Sequence, residues 1–128
     1  MKTILDQVNE VSLVSLTDQD VNLICVVAPT TLDARRNVVI DKSRQNFQLV
    51  FSHVAGYLVL PEIAQIGMNF TYSDSFLVSE VNESSALNFL GFKHYFPDEK
   101  IRHLTVRTSH QFINIFVEAD AEIALLGN

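Results

Sequence analysis

An antiparallel, strongly twisted sheet carrying one main helix, an α+β arrangement, is the fold class this sequence predicts, and three stretches predict it. "NFQLVFSHVAGYLVLPE" (46–62) is dense in aromatic and β-branched residues, as half-buried strands are. "IRHLTVRTSHQFINIFVE" (101–118) reads as two apolar runs about a polar break, the pattern of a hairpin. "SSALNFLGFKHYF" (84–96) instead changes to helical spacing.

From the start of the chain, Ile4, Leu5, Val8 and Val11 fall at helical intervals, while Val11, Leu13 and Leu16 alternate. A short N-terminal helix running into a strand is expected. "TDQD" (17–20) has turn chemistry, and "VNLICVVAP" (21–29) reads as a strand closed by Pro29. Its nearly unbroken apolar character predicts burial on both faces. "RRNVVI" (35–40) is a further strand before the polar break "DKSRQN".

In the long 46–62 strand, Phe47, Leu49, Phe51 and His53 share one face opposite Gln48, Val50, Ser52 and Val54. A bend or bulge is expected at Ala55-Gly56, and Pro61 ends the strand. "FLVSEV" (76–81) is another strand. The main helix is placed at about 84–95, with Ser84 as N-cap and Pro97-Asp98 as the stop. Gly91 in its interior weakens it by about 1 kcal/mol relative to alanine. The hairpin strands then turn at "TSHQ" (108–111). The predicted core is Leu23, Ile24, Val26, Val50, Leu58, Leu60, Leu87, Leu90, Leu104, Val106, Ile113 and Ile115.

The 128 residues fit a single globular domain, 1–128, with no linker, repeat or composition shift to divide them. With 48% hydrophobic and 19% charged residues, the chain has the profile of an ordered globular protein. Nine basic against fifteen acidic residues give a net charge of −6, which disfavours nucleic acid and anionic membrane and favours a basic protein partner. No apolar run approaches the roughly 18 residues of a membrane span, and the N-terminus lacks a secretory pattern, so a cytoplasmic location is expected. Cys25, alone in its apolar run, reads as a small buried hydrophobe.

Chemistry is sparse. There is no nucleophile elbow, phosphate-binding glycine loop or His-Glu-x-x-His. His53, His94, His103 and His110 lack the paired spacings of zinc ligands, so neither metal nor cofactor is expected. The one catalytic arrangement to weigh is a nuclease-like site of His103, Arg107 and His110, a histidine serving as base and the arginine steadying phosphate charge. Against it, Ile101, His103, Thr105 and Arg107 share a strand face whose polar members suit a solvated sheet surface. Glu118, Asp120 and Glu122 alternate with apolar residues, a spacing that puts three carboxylates on one strand face. They read either as a charged edge against stray strand pairing or as an acidic partner-binding surface.

The order of elements in "FQLVFSHVAGYLVLPE", "FLVSEV", "SSALNFLGFKHYF" and "IRHLTVRTSHQFINIFVE" resembles that of small bacterial proteins of the toxin-immunity type. The resemblance spans about residues 21–123. It implies a protein that occludes a cognate toxin and has no active site of its own. Two alternatives stand beside it: the His/Arg enzyme, and a homo-oligomeric domain such as a homodimer, or a small-ligand-binding domain.

Overall fold

The computed structural model describes residues 3–8, 10–82, 84–92, 100–119 and 121–127. A 3-10 helix (Ile4–Gln7) leads into β1 (Val11–Gln19), β2 (Asn22–Leu32), β3 (Val38–Ile40), β4 (Phe47–Phe51) and β5 (Val54–Pro61). After α1 (Glu62–Gly67) come β6 (Thr71–Tyr72), β7 (Val78–Asn82) and α2 (Ser85–Phe89). The chain finishes with β8 (Ile101–Arg107), β9 (Gln111–Glu118) and β10 (Ile123–Gly127).

The strands form two five-stranded antiparallel sheets where one was expected. The first has the order β1-β2-β4-β10 with β3 also on β2; the second runs β5-β9-β8-β7-β6. Their inner faces make the core. Leu23, Cys25, Val27, Leu49 and Phe51 of the first sheet meet Val78, Leu104, Val106, Ile113, Ile115 and Val117 of the second. Alternation explains this division, since every second side chain of a strand points to the same face. The 3-10 helix adds Leu5 and Val8 to the same core. Its start is fixed by Thr3 and Asp6, each accepting from the other's end of the turn, and Asp6 Oδ1 also takes the Leu77 amide at 2.9 Å.

The two sheets are joined by one bent ribbon. β4 pairs with β10 and β5 pairs with β9, so the segment 47–61 runs antiparallel to 111–127 from one sheet into the other. The predicted long strand is therefore continuous in direction but broken at Ser52-His53, where His53 takes φ 50°. Histidine is among the residues that tolerate this left-handed conformation, yet nothing in the local pattern marks it. The expected irregularity is present as well: the β5–β9 register shifts between Val54 and Gly56. The Ser52 amide donates to the Glu122 carbonyl at 3.1 Å, and the Glu118 amide to the His53 carbonyl at 3.1 Å, closing the corner.

The antiparallel, sheet-rich class is as predicted, and so are the N-terminal helical turn, the 76–81 strand and the 101–118 hairpin. The main helix is not. α2 has only five residues, and Gly91 beyond it takes φ 78°, the left-handed geometry that terminates helices. Residues 93–99, including His94 and the expected Pro97 stop, lie outside the described residues. The core prediction holds for Leu23, Leu104, Val106, Ile113 and Ile115, which are fully buried. Ile24, Val26 and Val50 point away from the core and are half-buried, because no element among the described residues covers the outer face of the first sheet. Leu60 and Leu87 are also half-buried, and Leu58 and Leu90 are exposed.

Candidate functional site

The outer face of the second sheet is covered, and its cover is tied down by polar groups. On β9, Phe112, Asn114 and Phe116 point outward, and on β8 so do His103, Thr105 and Arg107. The expectation of a solvated face is overturned here, since His103 is 1% and Thr105 2% exposed. The segment from α1 to α2 lies over them. Its inward side chains are Gln65 from α1, Phe70 and Tyr72 near β6, Ser84 before α2, and Phe92 after it.

These groups form a continuous buried chain. Ser84 Oγ meets His103 Nδ1 at 2.6 Å, and His103 Nε2 meets Asn114 Oδ1 at 2.7 Å. Asn114 and Gln65 exchange two hydrogen bonds, of 2.8 and 3.0 Å, and Gln65 Nε2 reaches the Tyr72 hydroxyl at 2.9 Å. The proton positions follow from one anchor. Asn114 Nδ2 donates to the Leu58 carbonyl, which can only accept, so Asn114 Oδ1 faces His103 and must accept from it. His103 is thus the Nε2–H tautomer, and its bare Nδ1 accepts the Ser84 hydroxyl proton. Burial, opposed in part by the Asn114 hydrogen bond, lowers the His103 pKa below its ordinary value. The ring is held edge-on by Phe70, with centroids 4.9 Å apart, and tilted against Phe116 at 4.6 Å.

A serine donating to a neutral imidazole is also the starting arrangement of nucleophilic catalysis. Two features make this chain a clamp. Asn114 carries no charge with which to stabilise an imidazolium, and Ser84 and His103 are both buried. What the chain does is pin α1 and α2 to the same sheet. With their polar or small side chains turned inward, the helices turn large apolar ones outward: Ile63 is 83% exposed, Ile66 65% and Phe89 86%, with Met68 and Leu90 beside them in sequence also exposed. Single exposed apolar residues are ordinary on a surface; here five lie on the two helices or beside them in sequence. Adjacent to this cover, Phe70, Glu80, Asn82 and Ser85 line part of an open cleft of about 680 Å3.

The residues singled out from sequence are distributed differently. His103 lies in the clamp. Arg107 is on the same strand face but four residues on, about 13 Å along the strand, with its guanidinium 5.5 Å over the Phe112 ring. His110 is exposed in the hairpin turn. The structure does not bring the three together. Among the described residues no three histidine, cysteine or carboxylate side chains converge as metal ligands. Cys25 is buried, and burial pushes its thiol up to about 12.

Glu118 and Glu122 do not lie on one strand: Glu118 ends β9 and Glu122 precedes β10, while Asp120 lies outside the described residues. Glu118 instead faces His53 at 3.5 Å. The β1–β2 turn docks on this corner, the Val54 amide donating to the Val21 carbonyl at 2.8 Å. Asp18 and Asp20 thereby join Glu118 and Glu122 at one end of the molecule. Arg35 and Arg36 sit beyond the far end of β2, about 33 Å along that strand from this corner, and Lys42 and Arg44 follow β3, which runs back antiparallel along β2.

Sequence reading missed α1 and the clamp. The signal for α1 was Pro61-Glu62 followed by Ile63 and Ile66 at helical spacing, with Gln65 as the inward polar residue. No helix of the described residues is long and apolar enough to cross a membrane. No family model, no curated protein and no solved structure matches the chain.

Proposed function

We propose that the chain is a non-enzymatic protein-binding domain, most concretely an immunity-type inhibitor that covers the cleft of a cognate toxin. The observation that carries this reading is the outward display of Ile63, Ile66 and Phe89 on helices fastened by the buried clamp. A pinned apolar surface loses little conformational entropy on docking, which leaves more of the burial energy for affinity. The net charge of −6, with an acidic end built from Asp18, Asp20, Glu118 and Glu122, selects a basic partner and speeds its approach.

The test is affinity capture from the source cell with wild type and an Ile63→Ser/Phe89→Ser variant, followed by light scattering and binding kinetics. Both positions are exposed, so the variant keeps its fold. A single basic protein held in a stoichiometric complex by wild type, and bound about 100-fold more weakly by the variant, is the expected result. Equal binding by the variant removes the helices from the interface. Self-association is the second reading, favoured by the outer face of the first sheet, where Ser15, Thr17, Ile24, Val26, Val50 and Leu126 include no charged side chain. Recovery of a defined homodimer alone would move the function there.

A further inference from the structure

A separate feature lies where the start of α1, the β8–β9 turn and the segment before β7 meet. They enclose a cleft of about 430 Å3, of the size that takes small ligands. Its frame is fixed by backbone hydrogen bonds: Glu62 N to the His110 carbonyl at 3.2 Å, Arg107 N to the Leu77 carbonyl at 2.8 Å, and Ser109 N to the Val11 carbonyl at 2.8 Å. Leu77 and Phe112 give it apolar wall, and Glu10 and Glu62 give it two carboxylates. Thr108 and Ser109 have their hydroxyls engaged by backbone carbonyls, so they are not the recognition groups.

Arg107 is the group with no hydrogen-bonding partner on its side chain among the described residues. Its Nε is buried and has no hydrogen-bond acceptor, and among the described residues its guanidinium is in no ion pair, whereas Arg102 is paired with Glu80. A buried donor left unmade is costly, and the guanidinium, 5.5 Å over the Phe112 ring, belongs to a residue that lines the cleft and can fork onto a carboxylate. The Glu10 and Glu62 carboxylates line the same cleft without neutralising it. An anion alone would meet two carboxylates, and a cation alone would meet the guanidinium.

We infer that this cleft binds a zwitterion, its carboxylate on Arg107 and its ammonium on Glu10 or Glu62, with an apolar side chain against Leu77 and Phe112. Free α-amino acids and short peptides both carry this chemistry. The site does not depend on the protein-binding surface.

The experiment is a titration of the full chain followed by amide NMR shifts, with L-leucine, L-alanyl-L-leucine, N-acetyl-L-leucine and L-leucinamide up to about 10 mM. One of the two zwitterions is expected to shift the amides of Leu77, Thr108 and Ser109 in a saturable way, at least tenfold more tightly than either singly charged compound. The tighter of the two identifies a free amino acid or a peptide as the source. Arg107→Gln should abolish the shifts, and Glu62→Gln, at an exposed position, should weaken them with the fold intact. No saturable shift with either zwitterion, equal affinity for N-acetyl-L-leucine, or unchanged binding in both variants would overturn the assignment.

Discussion

Replacing Asn114 by alanine removes the hub of the clamp, and the structure fixes what is lost. The side chain accepts from His103 Nε2 and Gln65 Nε2 and donates to the Leu58 carbonyl and Gln65 Oε1, with Asn114 itself 1% exposed. Alanine leaves three groups without these partners: the buried imidazole N–H, the buried Gln65 amide and the part-buried Leu58 carbonyl. Each costs about 1–3 kcal/mol when unsatisfied. Gln65 keeps its Tyr72 bond, so the expected loss is about 3–5 kcal/mol, a large part of the roughly 5–15 kcal/mol of a typical domain. In urea unfolding, with a slope of about 2 kcal/mol per molar, the midpoint should fall by about 2 M. Ser84→Ala in the same background should cost less than it does alone, since the two residues act through one imidazole. A loss below about 1 kcal/mol for Asn114→Ala, or full additivity with Ser84→Ala, would refute the clamp as what holds the cover.

Further outcomes follow from the same geometry. His103 has a lowered pKa in the folded protein, so the folded state binds fewer protons than the unfolded chain. Its contribution to stability is present above the ordinary value of 6.5 and is lost as pH falls from there through the folded pKa; urea midpoints from about pH 8 to about pH 5 should decline, and decline less in His103→Gln. Cys25 should resist thiol reagents in the native protein and react on denaturation, and rapid native labelling would contradict its burial. Phe51→Ala should cost about 3–5 kcal/mol in the same urea assay while Phe89→Ala stays within about 0.5 kcal/mol, because one ring is fully buried and the other lies in solvent. Glu80→Gln, which breaks a half-exposed pair with Arg102, should cost no more than about 1 kcal/mol.

What sequence made legible was local. The 101–118 hairpin could be read because two apolar runs flank a short polar break, and the pairing of Val106 with Ile113 depends only on that turn. The pairing of Phe51 with Ile123 depends on residues far apart in the chain, and no local pattern encodes it. β-branched residues at Ile24, Val26 and Val50 reported that strands form there, not which face is covered. Gly91 was visible as a helix-weakening residue, but its left-handed backbone makes it a terminator. The clamp escaped because its members, Gln65, Ser84, His103 and Asn114, are scattered over fifty residues, and no local pattern joins His103 to the other three. The outward apolar residues were missed for a related reason: on a short helix, a spacing of three identifies a face but not whether that face points in or out.

The bent ribbon has a kinetic consequence. Its ladder pairs residues from Pro61 with Gln111 at one end to Phe47 with Gly127 at the other, so every rung closes a long excursion that contains α1, α2 and β8. The hairpin of β8 and β9 costs little chain entropy to form, and β5 can then add to β9. Zipping round the corner at His53 brings β10 to β4 only after that, since a left-handed histidine and a docked β1–β2 turn must both be in place. The first sheet is therefore expected to complete last, and a topology so rich in distant pairings is expected to fold in milliseconds to seconds, which stopped-flow refolding would check. Weakening the corner should slow refolding, whereas loosening the β10 edge should speed unfolding and leave the refolding rate nearly unchanged.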